Sequence, residues 1–188
     1  MDERFGGYFK TLYEVVKAIN SSLDPKVVLN QVAEKVSWAM DVKACSIRLL
    51  SSDKRFLEAR ASYGLSQGYL RKGKIEVSKS GIDQEVLAGN NVYIADAYTD
   101  SRFQYPEEAK AEGIHSVMAV PLPLQGREIT GVLRVYSSTE REFAASEIEF
   151  LNAIAELCAM AIHNALAHNK LKHEHELTTE YNFILFDD

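Results

Sequence analysis

The chain has 188 residues, 46% of them hydrophobic and 26% charged, which suits one globular domain with extensions and enough bulk for a real core. Its net charge of −6 argues against a broad surface for nucleic-acid phosphates, and no apolar run approaches the ~20 residues that cross a bilayer. Cys45 and Cys158 lie far apart and offer neither a CxxC pair nor metal-ligand spacing, so with no signal-like N-terminus the chain reads as cytoplasmic, with reduced thiols.

Residues 4–20 predict an amphipathic helix, with Phe5, Tyr8, Phe9, Leu12, Val16 and Ile19 at three- and four-residue steps. A break follows at "SSLDPKVV". Asp24 suits the N-cap and Pro25 the first turn of a second helix, which runs to about Met40 with Val28, Val32, Val36 and Met40 on one face. "KACSIRLLSS" and "RFLEARASYG" read as strands of a hairpin that turns at Ser52-Asp53-Lys54. In the second strand, Phe56, Glu58 and Arg60 alternate with Leu57, Ala59 and Ala61. Arg71, Lys72 and Lys74 make the one clear basic cluster, and beside a turn they read as a solvated face. "KIEVS" is a further short strand.

From Ser80 to Gly113 the pattern is irregular. A short helix in "GIDQEVLAGN" ends at Gly89, "VYIAD" is extended, and a second short helix starts near Pro106. Two nearly uncharged strands follow, Ser116–Leu124 and Ile129–Ser138, with Gly126 and Arg127 in the turn between them. Ser146 and Glu149 fit capping-box spacing for a last helix running from about Ala145 to Thr179, ~50 Å long. Its first half is apolar and its second half, "HNKLKHEHELTTE", is polar.

Strands clustered between terminal helices predict an α+β domain with an antiparallel sheet. Strands apolar at nearly every position need cover on both faces. The terminal helices supply one cover, and the irregular insert supplies the other. Together with "AINSSLDPKVVLNQVAEKVSWAM", "KACSIRLLSSD", "VYIADAYTDSRF", "EGIHSVMAVPLPLQGREITGVLRVYS" and "REFAASEIEFLNAIAELCAMAI", this order resembles the GAF family of sensory domains over roughly residues 10–168. The resemblance implies a six-stranded antiparallel sheet, GAF/PAS-like, with terminal helices on one face and a lid of short helices and loops on the other. It also implies a ligand pocket beneath that lid. The expected division is 1–22 as an N-terminal helix for dimerisation and signalling, 23–164 as the GAF domain, and 165–188 as a helical extension with an apolar tail.

Cyclic-nucleotide-binding members of the family carry an Asn-Lys, Phe-x3-Asp-Glu pattern. Here Asn91, Phe103 and Glu107-Glu108 stand at comparable places, but Val92 replaces the lysine and Glu107 the aspartate, which puts that ligand in doubt. Bilin-attaching and methionine-sulfoxide-reducing members use lid cysteines, and residues 64–113 contain none. The helical histidines His163, His168, His173 and His175 step by five, five and two, which does not gather them on one face for a metal. No nucleophile–base set is legible, so the expectation is a binding domain, not an enzyme, with its cofactor, if any, unknown.

The candidate ligand-binding residues are Arg48, Tyr98, Arg102, Phe103, Tyr105, His115, Met118, Arg134 and Tyr136. Arg48 and Arg134 carry the argument, because an arginine inside an apolar strand must face solvent at a sheet edge or meet an anion such as a carboxylate or phosphate. Tyr98, Tyr105 and Tyr136 would supply aromatic walls. His115 begins the penultimate strand beside the lid; its plain reading is a routine hydrogen bond. Asp96 and Asp100 read as turn-stabilising residues, and Phe103 reads first as lid packing.

The functional expectation is a sensor of an unidentified small molecule that signals through its terminal helices, as a homodimer, to an output domain or partner protein. A ligand-free interaction module is the alternative, and a small sulfoxide reductase a more distant one. The apolar tail at Tyr181–Phe186 suits docking on a partner subunit, packing on its own domain, or the start of a following one.

Overall fold

A computed structural model describes residues 3–22, 24–124 and 128–185, with side chains described for 6–22, 24–124 and 128–168. The turn expected at Gly126 and Arg127 and the tail residue Phe186 lie outside the described residues, as do the side chains of Phe5, His173, His175 and Tyr181–Leu185. The elements are α1 (Glu3–Ser21), α2 (Pro25–Ala39), β1 (Ala44–Leu50), β2 (Phe56–Tyr63), α3 (Gln67–Leu70), β3 (Ile75–Glu76), α4 (Gly81–Leu87), β4 (Val92–Ile94), α5 (Pro106–Glu112), β5 (Ser116–Pro123), β6 (Ile129–Ser137) and α6 (Ala145–Leu185).

The described strands form one six-stranded sheet in the order β3-β2-β1-β6-β5-β4. Every neighbouring pair is antiparallel. The helices start where the sequence places them: Asp24 accepts from the Lys26 N–H at 2.9 Å ahead of Pro25, and Ser80 caps α4. Gly113 ends α5 in the left-handed conformation, at φ 71°.

The two faces of the sheet build two separate cores. On one face Cys45, Ile47, Met118, Val120, Leu133 and Val135 meet α1, α2 and α6. On the other, Ala44, Leu57, Val117, Val132 and Tyr136 meet the lid of α3, α4, α5 and their loops. This two-sided burial is why β5 and β6 carry so little charge.

Four details differ from the sequence reading. The apolar stripe expected on α1 divides: Tyr8, Val15 and Ala18 are buried, whereas Phe9 and Val16 are exposed at 74% and 41%. In β2 the register jumps between Ile47 and Arg48 of its partner, so Arg60 is an extra residue; Leu57 then joins the lid-side core and Ala61 the helix-side core despite their common parity. The start of α6 is fixed by Glu147, which accepts from the Ala144 N–H at 2.9 Å, not by Ser146 and Glu149. Finally, α6 continues to Leu185, and over Ala145–His168 it reaches a mean hydropathy of 1.4, so one described helix is long and apolar enough to cross a bilayer. In this fold 44% of that apolar window is buried, with Leu151, Ile154, Ala155 and Cys158 packed on the sheet.

Candidate functional site

Strand parity decides which side chains meet the lid. On β1, Ser46 and Arg48 alternate with Cys45 and Ile47, which enter the helix-side core. On β6, Arg134 and Tyr136 alternate with Leu133 and Val135 in the same way. Ser46 lies opposite Arg134 in the β1–β6 ladder, so Arg48 and Arg134 are diagonal neighbours at the centre of the sheet. Both are nearly sequestered from solvent, at 2% and 3% exposure.

Their partners are unequal. Arg134 forms an ion pair with Asp83, fully buried on the inner side of α4. Burial opposes the Arg134 charge, but the Asp83 carboxylate outweighs it and holds the guanidinium protonated. Arg48 has no hydrogen bond or ion pair among the described residues, and its Nε is buried. Arg134 Nε and Asp83 Oδ2 also lack partners.

Beside the arginines, Tyr136 and Ser46 share a hydroxyl hydrogen bond of 2.9 Å. The Tyr69 ring meets Tyr136 edge-on at 6.3 Å between centroids. Burial pushes the Tyr69 phenol up from its ordinary value, and its buried hydroxyl has no hydrogen-bond partner among the described residues. Lys72, on the turn after α3, sets Nζ 3.3 Å from the Tyr69 ring centroid and 4.9 Å from that of Tyr105. Burial first, and then Arg48 and Arg134, push the Lys72 ammonium down to about 6. The result is a cationic cluster flanked by aromatic rings between the central strands and the lid.

The structure therefore brings Arg48, Arg134 and Tyr136 together on one buried face, with Tyr105 at its rim. Phe103 is 6% exposed and packs in the lid-side core. Tyr98 packs partly against that core and stacks edge-on with His115 at 5.1 Å. His115 Nδ1 lies 3.2 Å from the Ala95 carbonyl oxygen, the routine bond expected of a strand-end histidine.

Two candidates fall elsewhere. Arg102 is held at the surface, with Nε 3.0 Å and Nη2 2.7 Å from Asp100 and Nη1 3.1 Å from Glu85. Met118 points to the helix-side core, 2% exposed, because β5 parity sends Val117 and Ala119 to the lid. Conversely, Asp83, Tyr69, Ser46 and Lys72 belong to the cluster although the sequence reading did not single them out for it. Asp83 carried a signal, being an acidic residue between Ile82 and Val86 on the inward side of a short helix. Lys72 carried none that separates it from a solvated turn.

The cysteines sit on the opposite side of the sheet. Burial pushes the Cys158 thiol up to about 12 and raises Cys45 too, so neither is a thiolate nucleophile near neutral pH. Among the described residues no group of three or more His, Cys, Asp or Glu side chains has the geometry for a metal ion.

A family model described as "GAF domain" matches residues 22–163. The chain is 24% identical over 182 residues to the formate hydrogenlyase transcriptional activator FhlA of Escherichia coli (strain K12), covering 94% of this chain and 26% of that protein. It thus spans about a quarter of the length of the curated relatives it matches. Among solved structures, the GAF domain of an Acinetobacter phosphoenolpyruvate-protein phosphotransferase superposes with a TM-score of 0.72 at 28% identity, covering 85% of this chain and 94% of that one. The GAF domain of a phosphoenolpyruvate-protein phosphotransferase from Coxiella burnetii superposes with a TM-score of 0.77 at 21% identity, covering 87% and 97%.

Proposed function

The chain belongs to the GAF domain family, and from that premise we propose that it is a sensory module that binds a small molecule between its central strands and its lid. The observation that carries this reading is Arg48, 2% exposed and without a partner among the described residues. A buried guanidinium left alone costs several kcal/mol, about what the removal of its partner costs in a buried pair. A bound ligand carrying negative charge would remove that cost and would hold α4, through Asp83 and Arg134, against the sheet.

Signal transmission follows from the layers. The lid and the terminal helices touch opposite faces of the same β1–β6–β5 ladder, so a shift on one side is felt on the other. A ligand drives such a shift only to the extent that it binds the two arrangements unequally. Phe9, Tyr13 and Val16 form an exposed apolar stripe on α1, and Met160 and Leu166 are exposed on α6. These faces support a homodimer through the terminal helices, with an output domain or partner protein reading the helix arrangement. In this reading the domain is cytoplasmic and does no chemistry of its own. The competing reading, a ligand-free docking module, draws on the close packing of Tyr136, Leu57 and Ile82 at the lid interface.

A thermal-shift screen of the full chain against nucleotides, amino acids, organic acids, haem and bilins separates the two readings. A ligand present at 100 times its dissociation constant adds ~2.7 kcal/mol and a clear rise in melting temperature. A flat response across the panel favours the docking module.

A further inference from the structure

We propose that Arg48, Arg134 and Lys72 together form the receptor for a small dianion, and that Lys72 takes up a proton from solvent as the dianion enters. This rests on the sensor reading above and narrows it to a ligand class and a protonation step.

The charge balance of the site sets the class. Two guanidinium groups face the lid, and the Asp83 carboxylate neutralises one of them. One positive charge is fixed there at every physiological pH, since an arginine does not deprotonate in proteins. The unpaired Nε atoms of Arg48 and Arg134 lie on diagonal neighbours, which suits a compact oxyanion engaging both forks. A monoanion would balance the fixed charge. A second negative charge needs a second cation, and among the described residues Lys72 is the lysine whose charge Arg48 and Arg134 act on.

Lys72 is poised for that role by what surrounds it. Arg48 from β1 and Arg134 from β6 repel its ammonium, whereas Glu108 from α5 and Asp83 from α4 attract it. The rings of Tyr69 and Tyr105 flank its Nζ. Burial and the two arginines outweigh these attractions and push the Lys72 ammonium down, so the ligand-free site disfavours its charge. A dianion between the arginines reverses the sign of the local field. The amine then accepts one proton, becoming the ammonium that the second negative charge requires. Part of the energy of binding is thereby tied to pH.

Isothermal titration of the full chain at neutral pH, in two buffers of different ionisation enthalpy, tests this. Succinate represents a dicarboxylate and sulfate a tetrahedral dianion that does not titrate, so the two arms separate carboxylate from phosphoryl recognition. The expected result is saturable binding of one of them, with close to one proton taken up per anion. Acetate is expected to bind at least ~tenfold more weakly and with little uptake. Lys72→Met should remove the uptake and weaken the dianion by ~tenfold or more, leaving acetate unchanged. Arg48→Met should abolish binding of both while raising the melting temperature of the ligand-free chain, a sign opposite to that of a residue that only packs. Binding with no proton uptake, or binding unaffected by Lys72→Met, overturns the proposal. If neither dianion binds but uncharged metabolites raise the melting temperature, the dianion assignment fails and the sensor reading stands. If nothing raises it, both fail.

Discussion

Gly131 shows how narrowly the centre of the sheet is set. A Cβ there would stand 2.1 Å from the carbonyl oxygen of Arg48 and 3.0 Å from Cδ1 of Leu122. Neither the ladder nor the side chain has room to yield, so Gly131→Ala should lower unfolding free energy by about 1–3 kcal/mol in urea melts. It should also move the Arg48 backbone and weaken any ligand held there. Lys72 makes a different prediction. Its folded pKa of about 6 lies below the unfolded value of about 10.4, so between these limits the unfolded chain binds more protons than the folded one. Stability of the ligand-free chain should therefore rise as pH increases from about 6 towards about 10.4, and Lys72→Met should remove that part of the slope. Legibility at this scale was uneven. Arg48 and Arg134 could be found because charge inside an apolar strand demands an explanation. Met118 could not be placed, because with both faces of β5 apolar no alternation reports which way a side chain points. Lys72 could not be found because, although its contact with Tyr69 is local, only the fold sets that turn against Tyr105 and near Arg48 and Arg134.

The elements α2 and α6 are tied together by one pair of side chains. Arg141 donates to the carbonyl oxygens of Met40 at 2.9 Å and Asp41 at 3.2 Å, just past the end of α2, and also pairs with Glu147 in the first turn of α6. Tyr8 of α1 donates to the same Glu147 carboxylate at 3.3 Å, and Tyr93 of β4 donates to the Arg141 carbonyl at 3.0 Å. All three terminal helices and an edge strand thus meet at one ion pair. Glu147→Ala should cost about 1.5–3 kcal/mol in urea melts, the range for hydrogen bonds to a charged group, and should loosen the joint. For α1, periodicity alone merged two stripes into one. The buried stripe of Tyr8, Val15 and Ala18 holds the helix to the domain, and the outer stripe of Phe9, Tyr13 and Val16 is exposed, as the proposed dimer requires. Replacing Phe9 and Tyr13 with Glu should convert dimer to monomer in sedimentation velocity while leaving the melting temperature at low protein concentration unchanged. A chain already monomeric before the substitution would refute the dimer. The capping-box spacing at Ser146 was a coincidence of sequence, since the carboxylate that reaches the free N–H is two residues before Glu149, at Glu147.

For the molecule as a whole, the order of elements and the cover on both faces of the sheet were readable from the low charge of β5 and β6 and from the clustering of strands between helices. The family resemblance rested on that same order. What the sequence withheld was the parity that sends Arg48, Arg134 and Tyr136 to the lid-side core and their neighbours to the helix-side core, and the β2 bulge that changes parity midway. The central ladder also sets the pace of assembly. Contacts such as Ser46 with Arg134 join parts of the chain far apart in sequence. Refolding from urea should accordingly be slow for a domain of this size, in the millisecond-to-second range or beyond, and stopped-flow fluorescence of Trp38 and the tyrosines would time it.

That same pairing of β1 with β6 bears on synthesis. While the ribosome is still making the chain, β1 has only β2 beside it, and its other edge has no mate until β6 emerges. Between the synthesis of β1 and that of β6 the growing polypeptide therefore carries an open β edge with Arg48 on it. The guanidinium that is buried between strands and lid in the finished protein would, at that stage, be the charge that discourages stray strands from docking there.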